Sequence, residues 1–259
     1  MIRALYTAAS AMLFGMRQQD IAADNLANTR TAGYKAVTSA GEAFAGVLAR
    51  SVESGETPVP VPQEMESVLG RIGTGVWQAV RGNDFTDGAM RTTQDPLDLA
   101  VSGTGFFAVQ TAQGVNYTRN GHLKRSLDNV LVTQEGLPVL DEAGNTITLT
   151  TDNVRVKSNG EILVGEDVVA KLGIYDLSAV TARRAGANRF EAGPGEVPAQ
   201  VALGTDTTIQ QGMLEEANVN AAKVASQVLS TGRNFEASQR VFSTINDTLE
   251  AAVLQIGKV

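Results

Sequence analysis

The sequence predicts a discontinuous α+β fold. Long N- and C-terminal helices pair as a coiled coil, a central all-β domain lies between them, and extended linkers join the two parts. Three observations carry this prediction. All seven Pro and all but three of the 26 Gly lie between residues 33 and 212, so both ends are nearly free of helix breakers. Each end carries an apolar stripe at a mean spacing of about 3.5 residues. The middle consists of short apolar runs set off by Gly and Asn/Asp turn signals. The implied domains are residues 1–28 with 217–259, an extended arm of 29–70 with 191–216, and a central β domain over 71–190.

The first helix follows the stripe Ile2, Leu5, Ala9, Met12, Met16, Gln19, Ala23 and Leu26, in which only Gln19 is polar. Ala4, Ala8, Ala11 and Ala22 raise its helix propensity, and its length as a helix is roughly 40 Å. Asn25 and Asn28 stand where it should stop, because Asn caps or enters the left-handed region at low cost. Gly33 lets the chain turn into the arm, and Tyr34 offers either a flat anchor for a neighbour or a buried aromatic at the helix end. Pro58, Pro60 and Pro62 alternate with Val59 and Val61, which enforces an extended chain.

In the middle, the strand-like runs are Phe106–Val109, Val130–Thr133, Pro138–Leu140, Thr146–Leu149, Val154–Val156, Ile162–Val164 and Val168–Tyr175. Asn120-Gly121, Glu135-Gly136, Gly144-Asn145 and Asn159-Gly160 punctuate them as turns. Leu97, Leu99 and Val101 alternate with Asp98 and Ala100, the pattern of a half-buried strand. Tyr117-Thr118-Arg119 reads as a facing strand that feeds the Asn120-Gly121 turn. Residues 191–212 read as the returning linker, with Gly193-Pro194-Gly195 as its turn.

The last helix follows a longer stripe from Leu214: Ala217, Ala221, Val224, Val228, Thr231, Phe235, Ser238, Phe242, Ile245, Leu249, Ala252, Ile256 and Val259. A register held this long argues for a coiled coil, since an ordinary straight helix drifts by about 20° per heptad. Asn218 and Asn220 are candidate N-caps, Glu215 and Glu216 suit the start of the helix dipole, and Lys258 suits its end. The side chains expected to pack the terminal helices are Ile2, Leu5, Met12, Met16 and Leu26 with Val224, Val228, Phe235, Phe242, Ile245, Leu249 and Ile256. An Ala-rich pair buries little apolar area by itself, so packing against neighbouring copies is expected as well.

Composition removes most chemistries. With no Cys, the chain has no disulfide, thiolate metal site or cysteine nucleophile, and its single His excludes a multi-histidine site. A net charge of −7 argues against nucleic-acid binding. Arg3, Arg17 and Asp20 interrupt the N-terminal stripe, so neither a cleaved signal peptide nor a membrane insertion is expected. His122 stands near a turn without a Gly-x-Ser-x-Gly nucleophile motif, so a structural or exposed role is expected of it. Ser102-Gly103-Thr104-Gly105-Phe106-Phe107 lacks the Lys and following helix of a phosphate loop. Asp95, Asp98, Asp141, Glu142, Glu161, Glu166 and Asp167 supply carboxylates whose separation the sequence does not fix. No enzymatic activity, cofactor, metal or small ligand is expected.

Three segments resemble the axial proteins of the bacterial flagellum, the rod and hook subunits. The first is Ala23-Asp24-Asn25-Leu26-Ala27-Asn28-Thr29-Arg30-Thr31-Ala32-Gly33-Tyr34-Lys35. The second is Pro96-Leu97-Asp98-Leu99-Ala100-Val101-Ser102-Gly103-Thr104-Gly105-Phe106-Phe107-Ala108-Val109, followed by Tyr117-Thr118-Arg119-Asn120-Gly121. The third is Gln211-Gly212-Met213-Leu214-Glu215-Glu216-Ala217-Asn218-Val219-Asn220, followed by Arg233-Asn234-Phe235-Glu236. Ala217 stands where the family usually has Ser, and Phe235 where a Tyr is common. Met1-Ile2-Arg3-Ala4-Leu5-Tyr6-Thr7-Ala8-Ala9 and Ile72-Gly73-Thr74-Gly75-Val76 are similar to the distal rod subunit. Gly136-Leu137-Pro138-Val139-Leu140 with Thr146-Ile147-Thr148-Leu149 is closer to the proximal one.

The resemblance implies a structural protein. Copies would polymerise helically with one another and with neighbouring rod and hook subunits, forming the hollow drive shaft that transmits torque for motility. Export would run unfolded through the flagellum's own type III apparatus, placing the subunit in the basal body outside the cytoplasm. Absence of Cys agrees with that route. The alternatives from other classes are a secreted β-rich adhesin or phage-tail-like trimer and, further off, a carboxylate-based cell-wall hydrolase.

Overall fold

A computed structural model describes residues 2–43, 76–151, 154–186, 188–204 and 206–256, without the side chains of 2–4, 40, 42–43, 77–81 and 255–256. The Pro58–Pro62 stretch lies outside the described residues, as do the side chains of Ile2 and Ile256 and the whole of Lys258. The chain divides into two compact units. Among the described residues, no helix is long and apolar enough to cross a membrane.

The first unit holds residues 1–26, 37–82 and 221–259. Its elements are helix α1 (Ile2–Ala27), strands β1 (Val37–Ala43) and β2 (Val76–Asn83), which pair, and helix α2 (Ala221–Ile256). Among the described side chains of α2 the partly buried or buried positions are Val224, Val228, Thr231, Phe235, Ser238, Phe242, Ile245, Leu249 and Ala252, with Gly232 the only other. They are the predicted stripe. The helix begins at Ala221, however, and Leu214–Glu216 do not belong to its first turn.

On α1 the predicted stripe is covered only in its first half, where Leu5, Ala9 and Met12 are partly buried. Ala8, Gly15, Ile21, Ala22 and Asn25 are buried, whereas Met16, Gln19, Ala23 and Leu26 are exposed. Two contacts explain the shift. Gly15 leaves room for Phe235, whose Cβ would lie 3.8 Å from a methyl group there. β1 runs back along α1: Asn25 both donates to Val37 O and accepts from Val37 N at 2.9 Å, and Gln18 donates to Ser39 Oγ at 2.6 Å. A face packed through Gly, Gln and Asn is invisible to a count of apolar side chains.

The second unit holds residues 27–36 and 83–220. Its strands are β3 (Met90–Thr92), β4 (Leu99–Ser102), β5 (Phe106–Thr111), β6 (Gly114–Thr118), β7 (Leu123–Arg125) and β8 (Leu131–Thr133). Then come β9 (Arg155–Val156), β10 (Glu161–Val164), β11 (Asp167–Lys171), β12 (Ile174–Asp176), β13 (Arg183–Arg184) and β14 (Arg189–Glu191). The last are β15 (Ala199–Gln200), β16 (Thr208–Gln211) and β17 (Met213–Glu215). A six-stranded sheet has the order β13-β14-β6-β5-β12-β15 and is flanked by smaller sheets. Alternation along β5 divides the core: Phe107 and Val109 join the large cluster with Leu99, Leu123, Ile162 and Ile209, while Phe106 and Ala108 face Tyr117, Leu140 and Phe190.

Several expectations change here. The run Val168–Tyr175 is two strands, β11 and β12, broken at Leu172-Gly173. The segment around β4 is not half-buried: Leu97 through Val101 are all buried, because Asp98 pairs with His122 and Ala100 is small enough to lie inside. Residues 191–216, expected as a returning linker, carry β15, β16 and β17; β16 pairs with β4 and places Ile209 in the core.

Candidate functional site

The three motif segments meet at a buried ionic cluster in the second unit. Lys35 follows the turn at Gly33, Arg119 follows β6, and Glu215 ends β17. All three are almost wholly buried, at 1–2% exposure. Glu215 Oε1 accepts from Lys35 Nζ at 2.7 Å, and its Oε2 from Arg119 Nε at 2.5 Å. Gly88 N also donates to Oε1, at 2.8 Å. Half-exposed Asp87 takes a further bond from Arg119 at 2.8 Å.

The Gly-rich turn that superficially suggests a phosphate loop binds a cation instead. Arg119 donates to Val101 O at 3.0 Å, to Gly103 O at 2.6 Å and to Gly105 O. Gly103 and Gly105 have φ of 100° and 130°, which aims successive carbonyls at the guanidinium. The planar five-donor fork of Arg suits this ring of acceptors, as a lysine ammonium would not. The guanidinium also lies 5.7 Å from the Phe106 ring, which packs edge-on with Phe85 and Phe190.

Around the cluster, the chain's entry and exit are clipped in place. Lys35 Nζ donates to Thr86 O at 2.7 Å. Asn218 accepts from Ala36 N at 2.7 Å and donates to Asp84 O at 2.8 Å, so it ties 36 and 84 rather than capping α2. Asn188 donates to Ala32 O at 3.1 Å. Gly33 N bonds Glu215 O at 2.7 Å, and at φ 65° Gly33 is pressed so closely on Arg119 that a Cβ would lie 2.4 Å from the Arg119 carbonyl carbon.

The other motif residues lie as follows. Tyr34 is 1% exposed, so the chain covers it itself; Arg184 stacks on its ring at 4.6 Å and donates to Lys35 O. Asn28 does not enter the left-handed region, which among described non-glycine residues only Asn129 occupies; its backbone and side-chain oxygens accept from Thr31. Likewise Glu215 and Glu216 lie off α2: the first is in the cluster, and the second pairs with Arg91 at 3.3 Å. Phe107 and Tyr117 are core residues, Gly212 has φ 71° between β16 and β17, Ala27 ends α1, and Val219 is partly buried. Sequence reasoning missed Asp87 and Arg184, which lie outside the motifs, and assigned Glu215 to a helix dipole.

His122 Nδ1 lies 2.5 Å from the buried Asp98 carboxylate. Among the described residues no hydroxyl is hydrogen-bonded to the ring, so the pair is not a nucleophilic triad. No group of three His, Asp or Glu side chains that could hold a metal ion occurs among the described residues.

Burial alone would raise the Glu215 carboxyl. Arg119, the Gly88 N–H and Lys35 outweigh it and hold the carboxyl below its ordinary 4.5. Burial lowers the Lys35 ammonium below its ordinary 10.5 against the pull of Glu215. A depressed carboxyl contributes stability that is fully present above its unfolded value and lost as pH falls through its folded one. The second unit should therefore weaken on acidification from about pH 5 downward. Urea midpoints taken stepwise from pH 7 to pH 3 test this; in Glu215→Gln the decline should be shallower by about one titrating proton.

Three family models match the chain. The flagella basal body rod protein model covers residues 5–35, the flagellar hook protein FlgE/F/G D1 domain covers 100–164, and the flagellar basal body rod FlgEFG protein C-terminal model covers 210–256. Each matched segment supplies one ion of the cluster: Lys35, Arg119 and Glu215. The flagellar basal-body rod protein FlgF of Caulobacter vibrioides is 31% identical over 100% of both chains. FlgF of Escherichia coli is 31% identical over 95% of each, and FlgG of Borreliella burgdorferi is 28% identical over 97% of this chain and 98% of its own.

Proposed function

Because the chain belongs to the family of flagellar basal-body rod and hook proteins, we propose that it polymerises helically, through its terminal helices, with copies of itself and with neighbouring rod and hook subunits. It is a structural rod subunit of the flagellar basal body and not an enzyme. The observation that supports polymerisation is a second apolar stripe on α1, left open by the fold. Tyr6, Leu13 and Met16 are 68%, 60% and 50% exposed. On α2, Leu229, Val241, Val253 and Leu254 are exposed as well. Large apolar side chains repeated along a helix mark a surface that another helix covers.

In this reading the terminal helices complete a coiled-coil tube only among neighbours. The subunit travels unfolded through the type III export channel before it assembles outside the cytoplasm. A chain without Cys makes no thiol crosslinks on arrival.

The test replaces Leu13 and Met16 by Asp in cells lacking the native gene. The variant should be produced and should keep a folded second unit, yet basal bodies should lack their rod and motility should fall to background. Normal rods and normal swimming would overturn the assignment of this stripe to assembly.

A further inference from the structure

The ions of the cluster come from widely separated parts of the chain, and the one among them that is a deeply buried anion, Glu215, comes last. Lys35 and Arg119 are in place once the first half of the chain exists, but Glu215 is not. Asp87 is half exposed and bonds Arg119 alone at close range; it stands 3.9 Å from Lys35. Without Glu215, two cations would have to enter the interior with no buried counter-charge, which is strongly unfavourable.

The same late segment performs other closures. Ile209 completes the large core cluster from β16. The Gln211 side chain accepts from Val156 N at 3.0 Å and donates to Pro96 O at 2.8 Å and Val154 O at 2.7 Å. Asn218 ties Ala36 to Asp84. Residues 208–218 thus form a strap that touches β4, β9, the Gly-rich turn's cation and the chain entry.

We propose that this strap is a folding checkpoint: Glu215 is the late counter-ion that makes closure of the second unit wait for the C-terminal segment. The β strands of residues 99–176 do not form a stable unit until the strap arrives. This order of closure is a property of the chain itself. Its use, keeping a partly delivered chain from folding inside a channel, rests on the export reading above.

Pulsed hydrogen exchange with mass spectrometry, during refolding of the full chain from urea, tests the proposal. Amides of β5 and β6 should gain protection in the same kinetic phase as those of β17. Protection of β5 and β6 in an earlier phase, with β17 still exchanging, would overturn it. Glu215→Gln should slow refolding roughly tenfold or more while changing the unfolding rate little. A variant that refolds at the native rate and only unfolds faster would show the strap docking after the fold has formed, and the proposal fails. Should Glu215→Gln not fold, the labelling order in the native chain decides alone. Neither readout involves export or polymerisation, so failure here leaves the proposed function standing, and the converse also holds.

Discussion

Arg119→Leu is expected to leave the second unit unfolded under native conditions. The substitution removes the partner of a buried carboxylate, an effect of about 3–5 kcal/mol where buried pairs are broken. It also strips the carbonyls of Val101, Gly103 and Gly105 of their shared donor. Each buried acceptor left without a partner costs about 1–3 kcal/mol more. Together these effects approach the whole stability of a typical domain, about 5–15 kcal/mol. Arg119→Lys should recover only part of the loss, because one ammonium has three donors and cannot reach two carboxylates and three carbonyls at once. Hydrogen exchange across residues 83–211 is the measurement. Native protection in Arg119→Leu would mean that the cluster contributes little to the fold.

How much of this was legible in the sequence depended on which kind of contact did the packing. α2 was legible because its covered face is made mostly of apolar side chains at heptad spacing, from Val224 to Ala252. The face of α1 was not, because it packs through Gly15, Gln18 and Asn25, and because Ala occurs on every side of the helix. The strands at Phe106, Leu131 and Ile162 were legible from short apolar runs between turns. β16 and β17 were not: Thr208-Ile209-Gln210-Gln211 is mostly polar, and Leu214 falls in phase with the helix stripe that follows it, although Gln211 and Glu215 are the ones that make the closing contacts. The motif residues pointed to a family, but nothing local said that Lys35, Arg119 and Glu215 touch. Contacts across 96 and 180 residues of chain are set by topology, which the separate segments do not encode. Tyr34 shows the same limit: an aromatic beside a helix end suits an exposed anchor or a buried one, and Arg184, 150 positions later, decides for burial.

Gly121→Ala should be the most damaging single-methyl change outside the cluster. A Cβ there would lie 1.6 Å from Leu99 O and 2.7 Å from Leu99 C, both backbone atoms that no rotamer change can move aside. The demand is for space alone, since Gly121 does not have the left-handed φ of Gly33 or Gly103. Leu99 N donates to Gly121 O at 2.9 Å, so the clash falls on the pairing that seats β4. β4 in turn pairs with β16 through Leu99 and Gln211 and holds Leu99 in the large core cluster. Relief of the clash must shift β4, a strand buried at Leu99, Ala100 and Val101, at about 3 kcal/mol or more. Gly136→Ala and Gly144→Ala are the controls. Both have positive φ, but nothing lies within 4 Å of the added methyl, so only backbone strain of about 1–2 kcal/mol applies. Urea midpoints of the three variants should therefore rank Gly121→Ala lowest by a wide margin. If Gly121→Ala were no worse than Gly136→Ala, the close approach of β4 to this turn would be wrong. The reading of Asn120-Gly121 would then revert to an ordinary turn, chosen for its backbone conformation rather than for room.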